Sequence, residues 1–213
     1  RMVVVGGGYI AVEFAGILHG LGCEVTQLYR GDLFLRGFDH EIRQFLAEQM
    51  RHKGVDLRFG ADVARIDKTG DGLALTLRDG STLACDGVLY ATGRHPNSAN
   101  LGLEACGVQR DGAGAIVVDE HYRTNVPSIF AVGDVTNRVN LTPVALAEGM
   151  ALARRLFGGK SYTVDYDFIP TAVFSQPPIG TVGFTEEEAQ RRYGALDVYT
   201  SSFTPLRFTI SPV

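Results

Sequence analysis

Cysteine is scarce in this sequence, and what there is lies far apart. Cys23, Cys85 and Cys106 are odd in number and form no CxxC pair, no zinc-ligand spacing and no evident disulfide framework. They read as reduced thiols of a cytoplasmic protein. An excess of basic charge is also lacking. The 20 Lys and Arg stand against 24 Asp and Glu, a net charge of −4, which gives neither nucleic acid nor an anionic membrane surface a reason to bind. No apolar run approaches the roughly 20 residues that a membrane span needs. Internal repeats and low-complexity tracts are missing too, which argues against a solenoid or a linker-rich chain. The opening Arg1-Met2-Val3-Val4-Val5 is too short for a signal peptide and runs straight into glycines. The chain is therefore expected to be cut from a longer protein.

What is present is an ordinary α/β balance, 45% hydrophobic and 21% charged with 26 glycines. Val3-Val4-Val5 reads as a short buried strand and Gly6-Gly7-Gly8 as a tight turn. Ile10, Phe14, Ile17, Leu18 and Leu21 then recur at helical spacing, with Gly20 and Gly22 ending the helix. Glu24–Tyr29 is a second strand, so the first 30 or so residues form a βαβ unit. Asp39 is placed to cap a second helix with a buried face of Ile42, Phe45, Leu46 and Met50. Segments at Val55–Phe59, Val63–Asp67, Leu73–Leu77 and Thr82–Ala84, joined by turns such as Asp71-Gly72 and Asp79-Gly80, predict an antiparallel meander. An apolar strand at Val88–Ala91 follows. Further on, the pattern predicts short strands at Ala115–Val118 and Ile129–Val132 and a helix from about Pro143 to Phe157. It then predicts strands at Thr171–Phe174 and Gly180–Phe184, a helix at Glu186–Tyr193 and a last strand at Asp197–Phe203.

The chemistry begins at Gly6-x-Gly8-x-x-Ala11, which sits between a strand and a helix where a dinucleotide fingerprint belongs. Gly6 permits the tight turn, Gly8 lets backbone approach a pyrophosphate, and Ala11 keeps helix and strand close. The helix N-terminus offers free N–H groups and partial positive charge to that pyrophosphate. At the end of the second strand an NAD site places Asp or Glu against the ribose hydroxyls. Tyr29 occupies that place here, followed by Arg30 and Arg36. Two guanidiniums can grip a 2′-phosphate, so NADPH is favoured over NADH; the alternative is a pair of solvated surface arginines. Asp134 follows a strand and a glycine and can accept hydrogen bonds from a polyol such as a flavin's ribityl chain, or act as a simple turn acid. Leu141-Thr142-Pro143 starts the next helix, whose positive end would face an electron-rich ring.

GGGYIAVEFAG, YRGDLFLRGFD, ATGRHPN, TNVPSIFAVGD, LTPVALAEG and VFSQPPIGTVG occur in that order. Together they resemble the pyridine nucleotide-disulfide oxidoreductases, most of all the members that reduce glutathione disulfide, with those that reduce trypanothione close behind. The resemblance implies an α/β fold in three parts. These are a Rossmann-like NADPH domain with its meander (1–94), the returning segment of a Rossmann-like FAD domain (95–166), and the start of an α+β dimerisation domain (167–213). It implies that Tyr9 covers the nicotinamide pocket, Ile10 and Glu13 line it beside the flavin, and Gly93 approaches the cofactor backbone. By the same likeness, Arg30 and Arg36 bind the 2′-phosphate, Asp134 holds the FAD ribityl chain, Thr142 contacts the isoalloxazine edge and Val173 touches the nicotinamide. Read from the residues alone, Tyr9 is equally an ordinary first-turn aromatic and Glu13 a first-turn acid favoured by the helix dipole.

The family's CxxxxC disulfide, its His-Glu pair and its first FAD fingerprint do not occur in the sequence. The chain is accordingly expected not to turn over a disulfide alone. Met150 stands where glutathione-reducing members can carry a substrate-contacting arginine. The implied whole is a cytoplasmic homodimeric flavoprotein with FAD and NADPH as cofactors and glutathione disulfide as substrate. Trypanothione, mercuric and lipoamide types are the alternatives within the family, the last disfavoured by the missing acid near Tyr29. A non-catalytic NADPH-binding module is the alternative outside it.

Overall fold

The computed structural model describes residues 1–159, 162–206 and 209. In chain order its elements are β1 (Met2–Val5), α1 (Tyr9–Gly20), β2 (Val25–Tyr29), α2 (His40–His52), β3 (Asp56–Phe59), β4 (Val63–Thr69), β5 (Gly72–Leu77), β6 (Thr82–Cys85) and β7 (Gly87–Tyr90). They continue as α3 (Leu103–Cys106), a 3₁₀ turn at Gly133–Thr136, α4 (Thr142–Phe157), β8 (Thr171–Val173), β9 (Ile179–Thr181) and α5 (Glu186–Tyr193).

Side chains on a strand alternate between faces, and a run of valines in β1 therefore needs cover on both. Val4 joins the core with Ala11, Val12 and Ala15 of α1 and Leu46, Ala47 and Met50 of α2. Val3 and Val5, on the opposite face, join Leu28 of β2 with Leu75, Leu77 and Cys85 of the meander. The result is three layers: two helices, a parallel sheet ordered β3-β2-β1-β7, and the antiparallel sheet β4-β5-β6. β3 is thus no part of the meander, contrary to the sequence pattern. It follows β2 through α2, and a helical crossover returns the chain parallel to the strand it left.

The helix faces also differ from the expected ones. α1 buries the small residues Ala11, Val12 and Ala15, while Phe14, Ile17 and Leu21 stay exposed. On α2 the buried residues are Leu46, Ala47 and Met50, and Ile42 and Phe45 are 40% and 51% exposed. The cause is close packing at the start of α1. A Cβ at Gly6 would lie 2.2 Å from the Ala91 carbonyl oxygen and 3.1 Å from Ala11 Cβ, so only small side chains can face the sheet there.

Beyond β7, Leu103, Val108, Ile116 and Ala131 form a separate small core. The strands predicted at Ala115–Val118 and Ile129–Val132 reduce to the isolated bridges Arg110↔Ile116 and Arg123↔Phe130. Asx turns compete for the backbone: Asp111 Oδ1 accepts from the N–H groups of Ala113 and Ala115, and Asp119 Oδ1 from those of His121 and Arg123. Helix α4 begins and ends close to the expected limits.

β8 and β9 form a hairpin whose Val173 and Ile179 enter the same core as Val12 and Ala15. Asp39 adds a second tie, for its Oδ1 accepts from Glu41 N–H to cap α2 while its Oδ2 accepts from Glu186 N–H at the start of α5. Helix α5 starts in a capping box between Thr185 and Glu188. No strand forms at Asp197–Phe203. Tyr199 is 90% exposed, and among the described residues that segment has no neighbouring strand to pair with.

Two glycine substitutions separate scaffold from surface. Gly6→Ala drives a methyl into a carbonyl at a φ of +146° and should cost about 3 kcal/mol or more in a urea melt. Gly8→Ala places its methyl in open space and should cost no more than about 1 kcal/mol, the loss of a favourable helix N-cap.

Candidate cofactor site

Strand β1 has β2 on one side and β7 on the other, so the loops after β1 and β7 diverge and leave a crevice at their carboxyl ends, the place where open parallel sheets bind ligands. A cavity of about 750 Å³ lies there. Its walls bring together Gly6, Gly8, Tyr9 and Ile10 from the first turn, Arg30 and Arg36 from the loop after β2, and Gly93 from the loop after β7. Seven of the residues singled out in the sequence thus share one site.

The floor of this cavity is the N-terminus of α1. Gly8 is its N-cap and no side chain caps the helix, so the first N–H groups face the cavity without a partner from the helix itself. A Cβ at Gly8 would meet nothing within 4 Å, which leaves the backbone open to a ligand. The wall carries three guanidiniums, of Arg30, Arg36 and Arg94, against one carboxylate, Asp62. Arg78 pairs with that carboxylate at 2.7 Å. The site therefore presents net positive charge and free amide donors, and it fits a phosphate-bearing dinucleotide.

Three contributions to this site were not legible in the pattern. Tyr29, at the place of an NAD-type acid, presses its ring against the loop: a Cβ at Gly7 would lie 2.3 Å from the ring and one at Gly31 2.8 Å. Gln27 is fully buried in β2 and its Nε2 donates to the Gly6 carbonyl at 3.1 Å, holding the turn from below. A polar residue inside a strand buried on both faces was the available signal. Asn140 closes the far end of the cavity, where its carbonyl lies 3.5 Å from the Tyr9 hydroxyl.

The other four residues lie elsewhere. Glu13 and Val173 are not in the cavity wall. Glu13 Oε1 accepts from Phe174 N–H at 2.9 Å, and Val173 is fully buried. Asp134 sits exposed on the 3₁₀ turn, and Thr142 opens α4, which also lacks a side-chain cap. An exposed carboxylate eight residues ahead of an uncapped helix N-terminus suits a ligand with both hydroxyls and an electron-rich ring. Tyr9 and Asn140 stand between the two places. Behind Asp134, the carboxylate of Glu148 is 1% exposed and accepts from Gly133 N–H and from the Tyr166 hydroxyl, both at 2.6 Å. Burial and the bond to Glu148 hold the Tyr166 phenol well above its ordinary pKa. All three cysteines are free, and burial also pushes the Cys85 thiol up, away from thiolate reactivity.

A dinucleotide fold with a glycine turn, a basic wall and a second uncapped helix beside an acid defines a dinucleotide-binding architecture. Residues 1–149 match the pyridine nucleotide-disulphide oxidoreductase family and residues 169–212 its dimerisation domain; the chain belongs to that family. It is 49% identical to the glutathione reductase of Burkholderia cepacia, over 99% of this chain and 47% of that protein. To the trypanothione reductase of Trypanosoma congolense it is 46% identical, over 99% of this chain and 44% of the relative. The HOCl-induced flavoprotein disulfide reductase RclA of Escherichia coli superimposes with a TM-score of 0.85 at 36% identity, over 91% of this chain and 44% of that one. The chain thus spans less than half the length of these relatives. The family and its glutathione reductase members use FAD and NADPH. Among the described residues no helix is long and apolar enough to cross a membrane.

The raised pKa of Tyr166 sets a pH dependence. Folded, the phenol keeps its proton above the ordinary value of 10.0, so its stabilising contribution is complete below that pH and is lost as pH rises through the folded pKa. In urea melts carried above pH 10.0, stability should fall with a steeper alkaline slope in the native chain than in Tyr166→Phe; identical slopes would contradict this.

Proposed function

We propose that this chain is the NADPH-binding and flavin-contacting part of a disulfide reductase that acts on glutathione disulfide. The observation that carries this reading is the shared wall of one cavity by the Gly6–Gly8 turn and by Arg30 and Arg36. When bound, NADPH supplies a hydride and FAD receives it. The chain's own residues bind and orient. The α1 N-terminus takes the pyrophosphate on its free N–H groups, and Gly8 lets it approach. Arg30 and Arg36 take the 2′-phosphate, while Tyr29 denies the site the acid that would favour NADH. Tyr9 covers the nicotinamide end with Ile10 beside it, Glu13 and Val173 stand behind that end outside the cavity wall, with Glu13 bonded to Phe174 N–H, and Gly93 meets the cofactor from the β7 side. Asp134 holds the ribityl chain and Thr142 the ring edge.

In this reading residues 1–94, 95–166 and 167–213 are the NADPH domain, a segment of the FAD domain and part of a dimerisation domain. The intact protein is a cytoplasmic homodimer, and its redox disulfide and acid–base pair come from residues outside these 213. A trypanothione-type substrate is the second reading. It is favoured by near-equal identity to both kinds of relative and by the exposed, uncharged Met150 on α4.

Binding titrations with NADPH and NADH test the cofactor assignment. Replacing Arg30 and Arg36 together by Ala should weaken NADPH by about 100-fold, the loss of two charge-assisted bonds, and NADH by less than about threefold. Equal losses for the two would leave both arginines as surface charges and remove the selectivity. Gly8→Ala, though folded, should weaken both nucleotides together.

A further inference from the structure

The position of Glu148 is not explained by binding either nucleotide directly. It lies in the middle of α4, 1% exposed, and among the described residues no cation stands within ion-pair distance of its carboxylate. A buried acid without a cation is costly unless its oxygens are hydrogen-bonded. Both of them are, and each bond reaches a different segment. Oε2 accepts from Gly133 N–H at 2.6 Å, and Oε1 accepts from the Tyr166 hydroxyl at 2.6 Å. Tyr166 in turn lies 3.3 Å from the hydroxyl of buried Tyr122. The Arg138 guanidinium covers both rings, at 5.6 and 5.8 Å, and donates to the carbonyls of Val118 and Asp119.

Gly133 directly precedes Asp134. It adopts a φ of +72°, and a Cβ there would press on Ala145 Cβ at 3.0 Å. The turn bearing Asp134 is thereby held against α4 by a close contact from the side and by the Glu148 carboxylate from within. The same helix carries Thr142 at its first residue.

The geometry points to Glu148 as a positioning residue for flavin. Its carboxylate clamps the Gly133 N–H and the Tyr166 hydroxyl, fixing Asp134 relative to the N-terminus of α4. It touches no cofactor itself. This rests on the reading above that Asp134 and Thr142 are the flavin side of the site, and the experiment separates the two claims.

FAD is the probe, released from and returned to the flavin-loaded protein, with its dissociation constant read from flavin fluorescence. NADPH affinity in the same samples reports on the distant α1 site. Glu148→Ala should weaken FAD about tenfold or more, the loss of a charge-assisted clamp, with NADPH unchanged within about twofold. Glu148→Gln can still accept from Gly133 N–H and should recover FAD binding to within about threefold of native. Tyr166→Phe leaves the Gly133 bond and should weaken FAD about threefold, which keeps the test open if the alanine variant does not fold. Asp134→Ala is the control. If it loses FAD while Glu148→Ala and Tyr166→Phe bind as native, the positioning role is overturned. A loss of FAD and NADPH together in Glu148→Ala, or no recovery in Glu148→Gln, makes the residue merely structural and overturns it as well. If Asp134→Ala keeps native FAD affinity, the flavin reading fails and this inference falls with it.

Discussion

At Gly6 three elements meet with no room for a side chain. Strand β1 ends just before it, α1 begins three residues later, and the chain leaving β7 passes with its Ala91 carbonyl where a Cβ would be. One added methyl would push the helix off the sheet or part β1 from β7, and protein interiors do not absorb such misfits cheaply. From that contact follow the small buried face of α1, the outward position of Phe14 and Ile17, and the crevice between the β1 and β7 loops. The same approach aims the α1 N-terminus into the cavity. The packing and the open crevice are here two results of one steric constraint.

The second constraint is polar. Around Gly133 the chain has little regular structure, only short bridges, Asx turns and one 3₁₀ turn. Its small apolar core of Leu103, Val108, Ile116 and Ala131 is a modest anchor. Buried hydrogen bonds supply the definition that a sheet would otherwise give, and a carboxylate with two donors at 2.6 Å is the firmest of them. The two halves of the cofactor region are therefore built differently, one on close-packed backbone and one on a side-chain network. Tyr9 and Asn140 lie where they meet.

Much of the first half was legible in the residues. Val3–Val5, the glycine turn and the strand to Tyr29 follow from local rules whose period survives folding, and α4 and α5 follow from their helical patterns and starts. Arg30 and Arg36 were legible because their distance from β2 is short enough for the loop to carry both to one wall. The buried face of α2 was only half legible, since Ile42 and Phe45 continue the apolar repeat without being covered. The strand at Asp197–Phe203 was misread because alternation marks a segment able to pair, not one that has a partner. Glu148 gave no sign, because an acid within a helix pattern normally faces water.

By itself, then, the sequence determined the βαβ unit, the glycine turn after β1, the basic residues in place of an acid after β2, and through its ordered motifs the family. These depend on residues close together in the chain, where spacing and backbone geometry are tightly linked. Tertiary structure alone decided that β3 joins the parallel sheet, that α1 buries its alanines, that Gln27 holds the Gly6 carbonyl, and that Glu148 reaches Gly133 and Tyr166. Each of those depends on which distant segment comes to lie opposite. That is set by the cost of leaving apolar surface or a buried polar group without a partner, and no local pattern records it.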